Sequence, residues 1–112
     1  MIYETFLFNR EEFKIHIGKN AQENWDLIDA STPDDIWFHI KDLPSSHVFL
    51  RTNRKLKCIP RNVLVRCACL CKQKSQSKSM KNCEIIYTEI SNVKKGVHIG
   101  EAIAKSTHFI KI

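Results

Sequence analysis

The sequence predicts an α+β fold, a single domain over residues 1–112 with a mostly antiparallel sheet and two helices. Three observations predict it. Apolar and polar residues alternate in several short runs, the period of half-buried strands. Two longer stretches instead space their apolar residues at helical intervals. Neither an internal repeat nor a Gly/Pro-rich linker divides the 112 residues.

Ile2–Phe8 and residues 13–17 read as a hairpin across the polar turn Asn9-Arg10-Glu11-Glu12. Phe13, Ile15 and Ile17 form the apolar face of its second strand, and Gly18 ends it. Asn20 is placed to cap a helix over Ala21–Ala30, with Glu23 three positions on completing a capping box. Ser31-Thr32-Pro33-Asp34 then turns the chain into a strand over residues 35–40. Alternation puts Asp35, Trp37 and His39 on one face and Ile36, Phe38 and Ile40 on the other. The run at 47–51 repeats this, with His47, Phe49 and Arg51 opposite Val48 and Leu50. Pro60 suits the first turn of a second helix over about 61–72, where its missing N–H has no consequence. Val63, Leu64, Cys67, Ala68, Leu70 and Cys71 have core spacing there. A basic loop at 72–81, expected to be mobile, leads to a strand at 83–90, and residues 97–104 and 107–112 are expected to close the fold as a strand pair.

Charge is distributed unevenly. Residues 1–50 hold four Lys/Arg against nine Asp/Glu (4 − 9 = −5), and residues 51–112 hold fourteen against three (14 − 3 = +11). No acid lies between Arg51 and Cys83. That split predicts a one-sided positive surface and an anionic partner, nucleic acid before acidic membrane. The N-terminus lacks the pattern of a signal peptide, and no apolar run approaches the eighteen or so residues of a membrane span. With five cysteines, an odd number, the chain reads as a reduced cytoplasmic protein without a membrane partner.

Four groups of residues are candidates for chemistry. Gly18-Lys19-Asn20 joins a strand to a helix start, where free N–H groups and a lysine favour an anion, although the spacing is not that of a P-loop. Trp37, His39, His47 and Arg51, if their face is outward, present rings for stacking and a guanidinium for phosphate. The pairing of the strand decides whether Trp37 or Phe38 is the residue turned outward. His39 and His47 also fit general acid–base chemistry, but the Ser/Thr partner two positions on, usual in two-histidine phosphoesterases, is replaced by Lys41 and Phe49. Cys67, Cys69 and Cys71 do not share a helix face, so core packing is the simpler reading, and neither metal nor cofactor is expected. Lys94-Lys95, read as a basic hairpin tip, completes the set.

Taken in order, Gly18-Lys19-Asn20, Asn24, Asp26-Leu27, Asp35-Ile36-Trp37-Phe38-His39, Pro44-x-Ser46-His47-Val48, Ile86-Tyr87-Thr88, Val93-Lys94-Lys95 and Gly100 resemble the RNA-binding domain of the NFACT family. That domain is the C-terminal module of ribosome quality-control proteins of the RqcH type and also occurs in small coiled-coil proteins. The resemblance implies RNA binding without catalysis, with tRNA or rRNA of the large ribosomal subunit as partner. DNA, a protein-interaction adaptor and a histidine-dependent ribonuclease are the alternatives. On this reading Gly18, Lys19 and Asn20 hold a phosphate. Trp37, His39, Ser46 and His47 meet bases or sugars, and Arg51, Lys94 and Lys95 neutralise further phosphates. Four or five such contacts imply a log K against log[salt] slope of roughly −3 to −4. Ser45 stands where many family members have Gly, which puts backbone freedom at that turn in question. The 112 residues show neither the tRNA-holding domains of full-length relatives nor a coiled-coil tail, so tail addition by this chain alone is not expected.

Overall fold

A computed structural model describes residues 1–76 and 78–112. The elements run β1 (Ile2–Phe8), β2 (Glu11–Ile17), α1 (Ala21–Ala30), β3 (Ile36–Ile40), β4 (Val48–Arg51), α2 (Arg61–Gln73), β5 (Glu84–Glu89), β6 (Val93–Lys95), β7 (Ala102–Ala104) and β8 (His108–Lys111). Six strands form one sheet in the order β1-β2-β4-β3-β5-β8, with every neighbouring pair antiparallel. Two short 3-10 turns, Leu56–Cys58 and Ile90–Asn92, link the regular elements. The α+β architecture is the one the patterns predict.

The first hairpin is tighter than its polar turn suggests. Phe8 pairs with Glu11, so only Asn9 and Arg10 span the loop, both at positive φ (50° and 64°). Those are the dihedrals of the turn whose twist matches two flanking strands. One sheet face carries Ile15, Ile17, Ile36, Phe38, Ile40, Val48 and Leu50, all sealed from water. α2 lies across it, contributing Val63, Leu64, Cys67, Ala68, Leu70 and Cys71 to the same core. Each such aliphatic side chain contributes on the order of 1.5–3 kcal/mol through burial. The same environment pushes the Cys71 thiol up to about 12 and raises Cys67 further, as buried core groups. The expected 72–81 loop is shortened at its start, since α2 runs to Gln73, and it includes Ser77, which lies outside the described residues.

The other face departs from expectation. Alternation is correct, with Trp37 level with Phe49 and His16 across the strands. Its consequence is not exposure, because α1 and the β6–β7 hairpin cover this face too. Trp37, Phe49, Leu27 and Ile90 form a second buried cluster, with Ile28, Val93, Ala102 and Ala104 packed against it. Trp37 retains 2% of its surface. Neither Trp37 nor Phe38 is the outward residue: both are core, on opposite faces. The C-terminal strand pairing is corrected as well. β7 pairs with β6 in a separate two-stranded sheet, and β8 joins the main sheet beside β5. Lys94 and Lys95 therefore sit in a hairpin arm, while residues 96–101 make its tip.

Candidate nucleic-acid interface

At the open end of the second layer, four segments frame a groove of about 540 Å³: the start of α1, the β3–β4 connection, the end of α2 and the β6–β7 hairpin tip. Its lining includes Gly18, Lys19, Asn20, His39, Ser46, His47 and Lys74. The helix start is well defined. Asn20 Oδ1 accepts from the Glu23 amide at 2.9 Å, and Glu23 Oε1 accepts from the Lys19 amide at 2.9 Å. The capping carboxylate thus reaches one residue further back than in the expected box. The Asn24 amide is met by Asn20 O at 3.0 Å, leaving those of Ala21 and Gln22 as the open donors of the helix terminus. Gly18 is required by proximity. Its N–H donates to His47 O at 3.1 Å, and a Cβ there would stand 2.0 Å from Asn24 Oδ1.

The two histidines are held by different partners. Trp37 Nε1–H donates to His47 Nδ1 at 3.1 Å, inside the protein. His39 Nδ1 lies 2.6 Å from Ile40 O, a group that only accepts. The His39 ring lies against the Trp37 indole (centroids 5.5 Å, 15°), and His47 meets His39 edge-on at 4.9 Å. Burial lowers the pKa of both, bringing His47 down to about 3 with His39 adding to the effect. Both rings are consequently neutral near pH 7. One buried side-chain atom, Asn24 Oδ1, lacks a partner among the described residues, while Arg51 Nε, without a well-angled hydrogen bond, is ion-paired with Asp35 Oδ2 at 2.7 Å. Both histidines line the groove.

Four of the predicted site residues are elsewhere. Trp37 sits beneath the groove and acts on it only through the two histidines, so it offers no face to a base. Arg51 binds buried Asp35 at 2.7 Å at the far end of the sheet. Asp35 also accepts from the amides of Thr32 and Thr52, which makes that corner structural. Lys95 pairs with Asp29 at 2.7 Å and lies 5.2 Å from the centre of the Trp25 ring. Lys94 is exposed on the opposite side of the same strand, away from the groove. Ser46 is present, with its hydroxyl donating to Lys74 O at 2.9 Å. That bond ties the end of α2 to the β3–β4 connection and carries Lys74 to the groove wall. Lys74 is not among the sequence candidates; its signal is its place inside the acid-free basic stretch between Arg51 and Cys83. Ser45 answers the question its departure raised. It is not at positive φ, and its hydroxyl accepts from the Ile40 amide at 3.0 Å and donates to Ser46 O at 3.1 Å. Glu101, the acid in the lining, accepts from the Val97 amide at 3.3 Å.

The model of the NFACT protein RNA binding domain matches residues 1–111. The chain belongs to this family. Among its relatives, coiled-coil domain-containing protein 25 of Bos taurus is 44% identical over 90 residues, covering 78% of this chain and 43% of that protein. Rqc2 homolog RqcH of Bacillus subtilis is 33% identical over 82 residues, covering 72% of this chain and 14% of that protein. The chain thus spans less than half the length of these relatives. The C-terminal part of the fibronectin/fibrinogen-binding protein of Streptococcus suis has the same fold. It superposes with a TM-score of 0.82 at 23% identity, covering 98% of this chain and 45% of that one. No helix among the described residues is long and apolar enough to cross a membrane.

Proposed function

We propose that residues 1–112 act as a non-catalytic RNA-binding module that grips the RNA backbone in the groove. The observation supporting this most is convergence. Gly18, Lys19, Asn20, His39, Ser46 and His47 come from two separate stretches of sequence and line one groove with Lys74. Lys19, Lys74 and the open amides of α1 hold phosphate, as anions are held at helix starts. The histidines meet the sugar–base side of the strand. The resemblance to ribosome quality-control proteins favours tRNA or large-subunit rRNA as the natural ligand, in the cytoplasm.

Catalysis by the histidine pair is disfavoured by their environment. Acid–base cleavage needs one imidazolium and one imidazole near working pH. A His47 held near 3 with its Nδ1 occupied by Trp37 does not supply the acid. The deciding experiment is fluorescence anisotropy with labelled tRNA and with unrelated RNAs. Lys19→Ala and Lys74→Ala should weaken all of them by similar factors, because phosphate contacts carry no sequence information. Unchanged affinity in both variants would overturn the reading. A protein-docking role has one supporting observation, the exposed apolar tip Val97 (85%) and Ile99 (59%) beside the groove. Partner capture that survives high salt and is lost on Val97→Ser would favour it.

A further inference from the structure

We propose that His39 and His47 together read the ribose 2′-hydroxyl and give the groove its preference for RNA over DNA. This rests on the groove reading above and adds the chemical group recognised. Each ring has one nitrogen committed inside the protein, which fixes what the other can do. An indole N–H can only donate, so His47 Nδ1 accepts, and a neutral ring must then carry its hydrogen on Nε2. A carbonyl can only accept, so His39 Nδ1 carries the hydrogen, and its Nε2 is left as a lone pair. The groove therefore presents one donor and one acceptor from adjacent rings, with centroids 4.9 Å apart and planes at 88°.

A hydroxyl is the small group that both donates and accepts. A single hydroxyl oxygen can accept from one ring and donate to the other, each bond about 2.8 Å long. The 2′-hydroxyl is also the group by which a protein tells RNA from DNA. Deoxyribose would leave the His47 N–H and the His39 lone pair facing a C–H. A carboxylate or phosphate oxygen would satisfy the donor and repel the lone pair, so the pair suits a neutral hydroxyl rather than a second phosphate. Phosphate is left to Lys19, Lys74 and the helix start, across the same groove.

The test uses the full chain and four 12-nucleotide strands of one sequence: RNA, DNA, 2′-O-methyl RNA and 2′-fluoro RNA. RNA should bind about ten- to a hundredfold tighter than the other three, the factor expected when a buried donor and acceptor lose their partner. His39→Phe keeps a flat ring against Trp37 and removes the lone pair, so it should lower RNA affinity far more than DNA affinity and bring their ratio close to one. His39→Gln, which retains an acceptor oxygen, should recover part of the preference. Nitrogen-15 correlation spectra of the free protein should show His47 protonated on Nε2 and His39 on Nδ1. If RNA and DNA bind equally and Lys74→Ala weakens both, the sugar reading is overturned while the groove reading stands. Loss of RNA and DNA by the same factor in His39→Phe, or the opposite tautomers, also overturns it. Failure of every strand to bind removes both readings.

Discussion

Trp37→Phe isolates the bond that organises the groove floor. The substitution keeps an aromatic ring in the second cluster but deletes the Nε1–H that His47 Nδ1 accepts at 3.1 Å. With Trp37 and His47 each 2% exposed, water does not replace the lost donor. The unpaired nitrogen costs about 1–3 kcal/mol. The smaller ring also leaves space behind, which adds a cavity cost unrelated to the bond. A cycle with His47→Leu separates the two, because the double variant keeps the cavity and removes both ends of the bond. The coupling should be about 1–2 kcal/mol, above the scatter of roughly 0.5 kcal/mol for independent sites. Urea unfolding followed by far-ultraviolet circular dichroism at pH 8 reads it. With m of about 1–3 kcal/mol/M, the coupling is a midpoint displacement on the order of 1 M beyond additivity. A coupling inside the scatter would refute the claim that Trp37 fixes the His47 ring.

Acid should destabilise the domain earlier than its carboxylates require. The unfolded chain takes up protons on histidine below about 6.5, whereas burial holds His47 near 3 and lowers His39. The unfolded state then binds more protons, so stability is full above 6.5 and falls as pH drops from there toward 3. The slope is about 1.4 kcal/mol per pH unit for each histidine withheld, and urea midpoints at pH 7, 6 and 5 check it; flat or rising stability on acidification contradicts it. Salt dependence should be shallower than the sequence implied. With Arg51 and Lys95 already paired, two or three phosphate contacts remain, and log K against log[salt] for tRNA should have a slope of roughly −1.5 to −2.5. A slope steeper than about −4 would show that contacts outside the groove dominate. Gly18→Ala should cost about 1–3 kcal/mol by driving a methyl group into Asn24, and it should weaken RNA binding by displacing the α1 start. Unchanged melting and binding would show that the helix yields freely.

Much of this fold is written in local sequence. Alternation in β1 to β5 and the apolar spacing of α2 depend on neighbours a few residues apart, and those elements appear within a residue or two of expectation. The start of α1 was legible because Asn20 and Glu23 act over a single turn. What failed was long-range. A strand face rich in Trp and His reads as exposed until something covers it, and the cover comes from residues 93–104, some sixty positions away. The same blindness misplaced β7 and β8, three- and four-residue strands whose partners only the folded sheet selects. Within the site, Lys19, His39 and His47 could be named from motif and resemblance. Lys74 could not, because its position depends on where α2 ends over the sheet. The pairing of Arg51 with Asp35 was equally hidden, since an arginine in a basic half gives no sign of a buried acid sixteen residues earlier.

The two tryptophans occupy contrasting surroundings, and this gives the domain a pair of built-in optical reporters. Trp37 is enclosed by apolar side chains and touches two imidazoles, so its emission should be blue-shifted and partly quenched. Trp25, half-open to solvent and anchored through its Nε1 to Glu101 O at 2.9 Å, senses whether the β6–β7 hairpin is docked on α1. Replacing Trp25 by Phe leaves a single fluorophore that follows global unfolding. The difference from wild type then follows undocking of the hairpin, with no dye attached.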